Sequence, residues 1–256
     1  MSKSKSSNLR AAVIGLRMGA NHVKNFQRAD GCEVVAVCDL DPELLKRVAA
    51  DHNVPQTYAD VDEMLEAEKL DIVSVATPNT LHHPLTVQAL KQGLHVLCEK
   101  PLAMNAQQAE EMVETAKRNK VKLGVHFNHR MRDDVQAIAR AIQAGELGEV
   151  YFARTVWHRR KGIPARQSFL KMDSSGGGAL IDLGVHILDI ACYCLGFPKL
   201  VAVNGQACTK FAERDVPELE MDVDDFATAY CRFDNGATLA LEVSWASHHE
   251  HPEQML

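Results

Sequence analysis

The feature that most constrains this chain is the alternation of short apolar runs with helical stretches over its first half. The runs are rich in Val, Ile and Ala and occupy residues 9–15, 34–39, 71–77, 95–98 and 121–125. Strands this apolar are typical of a sheet covered on both faces, and the helical stretches supply the crossovers that parallel strands need. The pattern predicts a doubly wound α/β domain with a parallel sheet.

Capping signals support the helices between these strands. Asp41 and Pro42 place an acid at an N-cap and a proline at the first helical position, and Asp60 is placed to cap another helix. Two longer helices are predicted over residues 81–92 and 107–118, the first of them closed by Gly93.

The turn after the first strand holds a variant phosphate-binding pattern, Gly15-Leu16-Arg17-Met18-Gly19-Ala20. Arg17 stands where the second glycine of G-x-G-x-x-G normally lets the backbone approach a pyrophosphate. Gly15 suits the tight turn, Gly19 suits close packing of the helix, and the Arg17 guanidinium is able to contact phosphate directly. A plain strand-to-helix turn is the alternative interpretation.

Asp39 ends the second strand and strengthens the nucleotide hypothesis. It lies at about the distance from the glycine turn at which a carboxylate accepts a hydrogen bond from the ribose 2′-OH of NAD. A 2′-phosphate would be repelled by Asp39 and by nearby Asp41, so the sequence favours NAD over NADP. Arg17 is the residue that would reverse this preference.

Glu99-Lys100-Pro101 follows the fourth apolar run. Because ligands bind beyond the carboxyl ends of parallel strands, an acid and an amine at this place suit a catalytic turn. Pro101 restricts its own backbone and that of Lys100, which directs the ammonium group. The alternative is a solvated surface pair.

Composition lowers the expectation of several other classes. The net charge is −6, and Arg159-Arg160-Lys161 is the one basic block, so nucleic-acid and membrane binding are disfavoured. The first eight residues lack the apolar segment of a secretion signal, and no apolar run reads as a bilayer span. The seven cysteines include no C-x-x-C pair, which predicts buried thiols in a reducing cytoplasm and no metal site.

The pattern changes after residue 125. A polar junction, His126-Phe-Asn-His-Arg130, precedes a predicted helix over residues 133–143 and a strand over residues 148–157. The basic stretch at residues 158–164 is either a solvated connector or a substrate-facing loop. Asn235-Gly236 between residues 224–233 and 237–247 predicts a hairpin, which with residues 201–208 would form an open, largely antiparallel sheet.

A second functional pattern lies in residues 176–189. Three glycines precede apolar residues at helical spacing, and Asp182, His186 and Asp189 would share one face of that helix. A carboxylate beside an imidazole fixes its orientation, which suits a general base for a hydroxyl proton. A helix with one polar stripe and a core histidine is the alternative, and a metal site is disfavoured because further ligands are not identifiable.

Together these motifs resemble the Gfo/Idh/MocA family of glucose-fructose oxidoreductase-like and inositol dehydrogenase-like enzymes. The matching motifs are Gly15…Gly19-x-x-His22, Ala76-Thr77-Pro78-Asn79-x-x-His82, Glu99-Lys100-Pro101 and the G-G-G-x-x-x-D-x-G-x-H-x-x-D run. The resemblance implies an NAD-binding Rossmann domain over residues 8–125. It also implies an α+β substrate and oligomerisation domain over residues 126–256.

The resemblance assigns a role to each matching residue. The T-P-N turn would lie under the nicotinamide ribose, and Lys100, with a cis bond to Pro101, would face the reacting carbon. The implied cofactor-binding residues are Gly15, Arg17, Met18, Asp39, Thr77, Pro78, Asn79, His82, Glu99, Lys100 and Asn128. The implied substrate-binding residues are Lys100, Arg130, His158, Arg160, Asp182 and His186. The implied catalytic set is Lys100, Asp182 and His186.

The implied reaction is hydride transfer between NAD and a secondary alcohol of a sugar, inositol or related polyol. His186 would take the hydroxyl proton, Asp182 would orient the His186 ring, and Lys100 would polarise the developing oxyanion. Either His186 or Lys100 could be the formal base, and the sequence leaves both open. A non-catalytic NAD-binding sensor and a redox-neutral sugar lyase or glycosidase are the alternatives. Full-length relatives would form homodimers or tetramers.

The end of the chain predicts an incomplete sheet. Residues 242–247 read as a last strand, with Val243 and Trp245 facing inward, and only a short polar tail follows. Similar proteins continue further. The expectation is a C-terminally shortened form with an unpaired sheet edge, in which nucleotide binding survives.

Overall fold

The computed structural model describes residues 8–250 and 253–255. The chain divides into two compact units, the first ending at His126 and the second beginning at Phe127.

The first unit is a parallel sheet with helices between its strands. Its strands are β1 (Leu9–Ile14), β2 (Cys32–Cys38), β3 (Gln56–Tyr58), β4 (Ile72–Val75), β5 (His95–Cys98) and β6 (Leu123–Val125). Its helices are α1 (Leu16–Arg28), α2 (Pro42–His52), α3 (Val61–Ala67), α4 (Asn79–Lys91) and α5 (Ala106–Asn119). The strand order β3-β2-β1-β4-β5-β6 reverses direction between β1 and β4, which confirms the predicted doubly wound topology.

Side chains of β1 show why this sheet is apolar throughout. Ala12 and Ile14 belong to one hydrophobic cluster, while Ala11 and Val13 belong to another. Because successive residues of a strand point to opposite faces, both faces of the sheet are buried. The predicted caps are also present: Asp41 accepts from the amides of Glu43 and Leu44, and Asp60 accepts from the Glu63 amide.

The second unit contains a mixed sheet. Its strands are β7 (Phe152–His158), β8 (Leu200–Cys208), β9 (Phe226–Phe233), β10 (Thr238–Ser244) and β11 (Glu253–Met255), in the order β11-β7-β10-β9-β8. The β7–β10 pair is parallel and the other pairs are antiparallel. Its helices are α6 (Asp133–Gln143), α7 (Gln167–Leu170), α8 (Met172–Ser175), α9 (Val185–Cys194) and α10 (Ala212–Asp215), with a 3₁₀ turn at Asn128–Met131 and a π-helix at Leu180–Gly184.

The expectation that the strand predicted at residues 242–247 forms an unpaired sheet edge is wrong. The predicted hairpin forms between β9 and β10, but β10 lies inside the sheet because β7 pairs with its other side. The backbone of β11 then pairs with β7. The sequence did not indicate these pairings because β7 is far from both partners in the chain.

The expectation that no run is long enough to span a bilayer also needs correction. Among the residues that the structure describes, one helical stretch, Met172–Cys194, is by length and composition alone long and apolar enough to cross a membrane. The most apolar part of that stretch is 56% buried inside the folded chain. Core helices of globular domains can have the same length and apolar composition. The three glycines near its start, Gly176–Gly178, obscured this length in the sequence.

Gly178 places the start of the π-helix against the backbone of Asp224. A Cβ at this position would lie 1.7 Å from the Asp224 carbonyl oxygen, whereas a Cβ at Gly124 would meet only Leu97 Cδ1, at 3.6 Å. Packed interiors do not yield by such distances. We therefore expect Gly178→Ala to lower the free energy of unfolding by about 3 kcal/mol or more, measured by urea denaturation. Gly124→Ala is the control, and equal stability of the two variants would contradict the account.

Candidate functional site

The glycine turn brings the start of α1 close to the end of β4. Gly15 has φ +83°, and a Cβ there would lie 2.6 Å from the Ala76 carbonyl oxygen. A Cβ on Gly19 would lie 2.7 Å from Val13 Cγ1, so both glycines are required by close packing. Arg17 and Met18 are exposed in the first turn of α1. This arrangement fits a dinucleotide whose pyrophosphate meets the helix N-terminus.

Asp39 is tied to the same helix start. Its Oδ2 accepts from the Leu16 amide at 2.7 Å, and its Oδ1 accepts from the Asp41 amide at 2.9 Å. Both carboxylate oxygens are therefore oriented by the backbone at the end of β2. Each oxygen retains further acceptor capacity for a ribose hydroxyl.

The T-P-N turn links β4 to α4. Thr77 and Pro78 precede the first helical residue, Asn79, at the carboxyl end of the sheet. His82, one turn further, is 1% exposed, and its Nδ1 and Nε2 lie 2.7 Å and 2.9 Å from the carbonyl oxygens of Pro101 and Thr77. The imidazole predicted to lie along the cofactor thus connects two backbone segments behind the turn.

Glu99 is a buried carboxylate beneath the candidate lysine. Its Oε1 accepts from His22 Nε2 at 2.9 Å and from His126 Nδ1 at 2.8 Å, and its Oε2 accepts from the Lys100 amide at 3.0 Å. Burial raises the pKa of Glu99, but the hydrogen bonds and charges of the two imidazoles outweigh it and hold the pKa well below its usual range. The Lys100–Pro101 bond is cis, as the resemblance implied.

The same three side chains form a cluster that sequence reasoning missed. Within the described residues, His22, Glu99 and His126 each offer one ligand atom, and these atoms lie within 4.8 Å of one another, which is close enough to hold a metal ion. Their donors and acceptor already satisfy one another, and Ser74 Oγ lies 2.7 Å from His22 Nδ1, so the group is complete as a hydrogen-bonded network. In the sequence, motifs marked two members of this cluster, His22 and Glu99, but no motif contained His126.

In the second unit, a π-helix carries Asp182 and leads directly into the α9 residue His186. The sequence predicted a regular helix, whereas the structure widens it by one turn of π geometry, a feature frequent at functional sites. Asp224 caps the start of this segment, because its two carboxylate oxygens accept from the amides of Gly178 and Leu180, both at 2.8 Å.

Two side chains that follow the ends of neighbouring strands orient the Asp182 carboxylate. Trp245 Nε1 donates to Asp182 Oδ2 at 3.0 Å, and Arg159 Nη1 lies 3.7 Å from the same oxygen. Trp245 follows β10 and Arg159 follows β7, which are parallel neighbours, so their carboxyl ends bring both groups to the same edge. Trp245 is completely buried. The sequence marked Trp245 only as an inward-facing strand residue and Arg159 as part of a basic loop.

Aromatic rings surround His186. His129 stacks on it with centroids 4.6 Å apart, Trp157 lies at 5.8 Å, and Phe127 approaches edge-on at 6.3 Å. His129 and Trp157 were not predicted as site residues, since neither belongs to a motif.

Arg130 and Asp189 pair with each other. Arg130 Nε donates to Asp189 Oδ2 at 2.6 Å, and its Nη2 donates to Oδ1. The guanidinium lies over the rings of Phe127, Tyr193 and Phe197, at 5.1 to 5.6 Å from their centroids. Asp189 was predicted to share a face with Asp182 and His186, but its described partner is this arginine. Asn128 is exposed at the start of the 3₁₀ turn.

The structure separates His158 from the His186 group. His158 pairs in register with Ser244, and its ring lies 6.3 Å from that of Phe226, on the face of the sheet opposite Trp157. Since Trp157 contacts His186, the two histidines lie on different faces. The substrate-binding prediction for His158 therefore has no support from its position. Arg160 is exposed, and the neighbouring Arg159 is the basic residue that approaches Asp182.

The fold and these sites define an NAD-binding oxidoreductase architecture, and comparison with known proteins identifies the family. Residues 9–127 match the model described as an oxidoreductase family with an NAD-binding Rossmann fold, and residues 135–256 match the GFO/IDH/MocA C-terminal domain. The chain belongs to the Gfo/Idh/MocA family.

Named relatives are sugar and polyol dehydrogenases. D-glucoside 3-dehydrogenase of Escherichia coli K12 is 37% identical over 252 residues, which cover 94% of this chain and 71% of that protein. The scyllo-inositol 2-dehydrogenase (NAD(+)) of Bacillus subtilis 168 is 31% identical and is covered over 69% of its length, with 95% of this chain matched. A structure of levoglucosan dehydrogenase with NADH and levoglucosan matches with a TM-score of 0.87 and 27% identity, over 97% of this chain and 70% of that one.

The contact between Trp245 and Asp182 yields a stability prediction. Trp245→Phe removes the indole donor, and a hydrogen bond to a charged group contributes about 1.5–3 kcal/mol. We expect urea denaturation to show a loss of about 2 kcal/mol, including the smaller ring's packing. The same substitution in an Asp182→Ala background should cost at least about 1 kcal/mol less, because the acceptor is absent. Equal losses in both backgrounds would mean that the contact contributes nothing.

Proposed function

We propose that this protein is an NAD-dependent dehydrogenase that oxidises a secondary alcohol of a sugar, inositol or related polyol. The observation that carries the proposal is the Lys100 turn, held at the carboxyl end of β5 beside the T-P-N turn of β4. Parallel sheets bind nucleotides at this edge, close to the point where strand order reverses. The names of the relatives support the reaction class. The choice of a sugar, inositol or related polyol as the substrate is our own proposal.

In this mechanism Lys100, Asp182 and His186 form the catalytic set. Bound NAD supplies the hydride acceptor. His186 takes the proton from the substrate hydroxyl, and Asp182 holds a substrate hydroxyl while Trp245 and Arg159 fix its carboxylate. Lys100 stabilises the negative charge that develops on the substrate oxygen.

The rings around His186 support a cyclic substrate. His129, Trp157 and Phe127 form an aromatic wall about the imidazole, and aromatic faces suit the C–H surfaces of a sugar ring. A cyclic polyol would place a hydroxyl at His186 while its apolar face meets this wall. D-glucosides, inositols and anhydrosugars are therefore the first compounds to test.

The proposal predicts a specific effect of Lys100. Following NADH absorbance with a polyol panel, we expect Lys100→Ala to lower kcat by a factor of about 10² or more, with NAD affinity within a few-fold of wild type. Lys117→Ala is the matched control, because Lys117 pairs with Glu114 on the surface of α5. Near-normal turnover of Lys100→Ala would overturn the assigned role.

The same assay separates the alternatives. Net NADH formation supports the dehydrogenase, whereas product without net reduction would favour the redox-neutral enzyme. Tight NAD binding without turnover of any compound would favour the sensor.

We also propose that NAD is preferred to NADP. The Asp39 carboxylate is held by the Leu16 and Asp41 amides at the end of β2, where it would accept from a ribose hydroxyl and repel a phosphate. Fluorescence titration should show NAD bound about tenfold or more tightly than NADP, and Asp39→Asn should narrow that ratio. Equal or reversed affinities in the wild type would show that Arg17 determines the preference.

A further inference from the structure

Three imidazoles from three different elements hold the Glu99-Lys100-Pro101 turn. His22 lies on α1, His82 lies on α4, and His126 directly follows β6. His22 and His82 are 2% and 1% exposed, so neither is a surface group. Buried polar side chains are retained where each has a partner, and here each of the three rings has a partner in this turn, Glu99 or Pro101.

The carboxylate of Glu99 joins two of these rings to the backbone of Lys100. An ionised carboxylate only accepts hydrogen bonds, so His22 and His126 must each present an N–H to Oε1. The other nitrogen of His22, Nδ1, lies 2.7 Å from the Ser74 hydroxyl oxygen, so both nitrogens of this ring have partners. Because Oε2 accepts from the Lys100 amide, the two rings restrain the residue that carries the ammonium group.

His82 joins the other side of the turn to the cofactor-binding loop. Its two nitrogens face the carbonyl oxygens of Pro101 and Thr77. Burial lowers the pKa of His82, and the neutral ring has one N–H, so it donates to one of the two carbonyls at a time. In either tautomer the ring fills the space between the two turns.

We infer that His22, His82 and His126 are positioning residues for Lys100, an inference that rests on the proposed function. His22 and His126 act through Glu99 and orient the lysine alone. His82 couples the lysine turn to the T-P-N turn, so it affects both catalysis and cofactor binding. None of the three acts on substrate itself.

Amide side chains allow each contact to be restored separately. A glutamine amide nitrogen approximates the position of histidine Nε2, and an asparagine amide nitrogen approximates that of Nδ1. His22→Gln and His126→Asn therefore keep the donor to Glu99, while His22→Leu and His126→Leu remove it. In the same way, His82→Asn keeps the contact to Pro101 and His82→Gln keeps the contact to Thr77.

The steady-state test compares kcat with the Kd of NAD. We expect each leucine variant at His22 or His126 to lose about tenfold or more in kcat with Kd within a few-fold, and the amide variant to recover most of the loss. His82→Gln should lower kcat and keep Kd, whereas His82→Asn should weaken NAD binding and keep kcat at saturation. His83→Gln is the control, since His83 pairs with Glu111 on the surface. Equal effects of leucine and amide variants, at matched thermal stability, would overturn the inference.

A second readout does not depend on turnover. Lysines labelled by ¹³C reductive methylation give an NMR resonance for Lys100, which a Lys100→Arg variant assigns. In the folded leucine variants this resonance should shift or broaden and return in the amide variants, while the Lys117 resonance stays unchanged. An unmoved Lys100 resonance would overturn the inference even if every compound in the panel is turned over. A moved resonance without any turnover would support the positioning network and count against the dehydrogenase.

Discussion

A single oxygen atom, Oε1 of Glu99, joins three parts of the Rossmann unit. It accepts hydrogen bonds from α1 through His22 and from the end of β6 through His126, and its own residue follows β5. A buried carboxylate without such partners would be costly to keep ionised, and here the two imidazoles hold its pKa well below the usual range. The remaining oxygen restrains the Lys100 amide. The lysine turn is therefore part of the packed domain and is not a free loop.

In the second unit, hydrogen bonds from other parts of the chain also hold the candidate site residues in place. The Asp224 carboxylate caps the segment that carries Asp182 and His186, and Trp245 donates to Asp182 from the end of β10. Gly178 is required because only a glycine allows the two backbones to approach so closely. These contacts hold a carboxylate and an imidazole on one continuous helical segment, which fits the proton-transfer role proposed for His186.

The sequence predicted most of the architecture because its local signals were consistent. Apolar runs, the Asp41 and Asp60 caps and the Asn235-Gly236 turn indicated the strands, helices and hairpin that form. What was missed lacks local signals: β3 is a three-residue polar edge strand, and the predicted strand β7 pairs with β10 only through the tertiary fold. The π-helix also escaped prediction, because the spacing of its apolar residues does not differ from that of an α-helix.

Motifs in the sequence suggested candidate site residues, but they did not indicate which residues contact them. His22 and Glu99 are 77 residues apart in the chain, and Trp245 is 63 residues from Asp182, so their contacts arise only from the fold. His158 illustrates the opposite error, because strand alternation places it on the face away from His186. Residue type and position along the chain suggested a substrate contact at His158. Its side chain, however, lies on the sheet face opposite the one that faces His186.

The reaction we propose for this protein is hydride transfer between a polyol carbon and nicotinamide. Its most direct test is to incubate the protein with NAD and a polyol deuterated at its carbinol carbons, and then to measure the mass of the nicotinamide cofactor. The account predicts reduced cofactor that carries one deuterium from the substrate. Bound NAD that stays free of deuterium, with a substrate that the protein demonstrably binds, would contradict it.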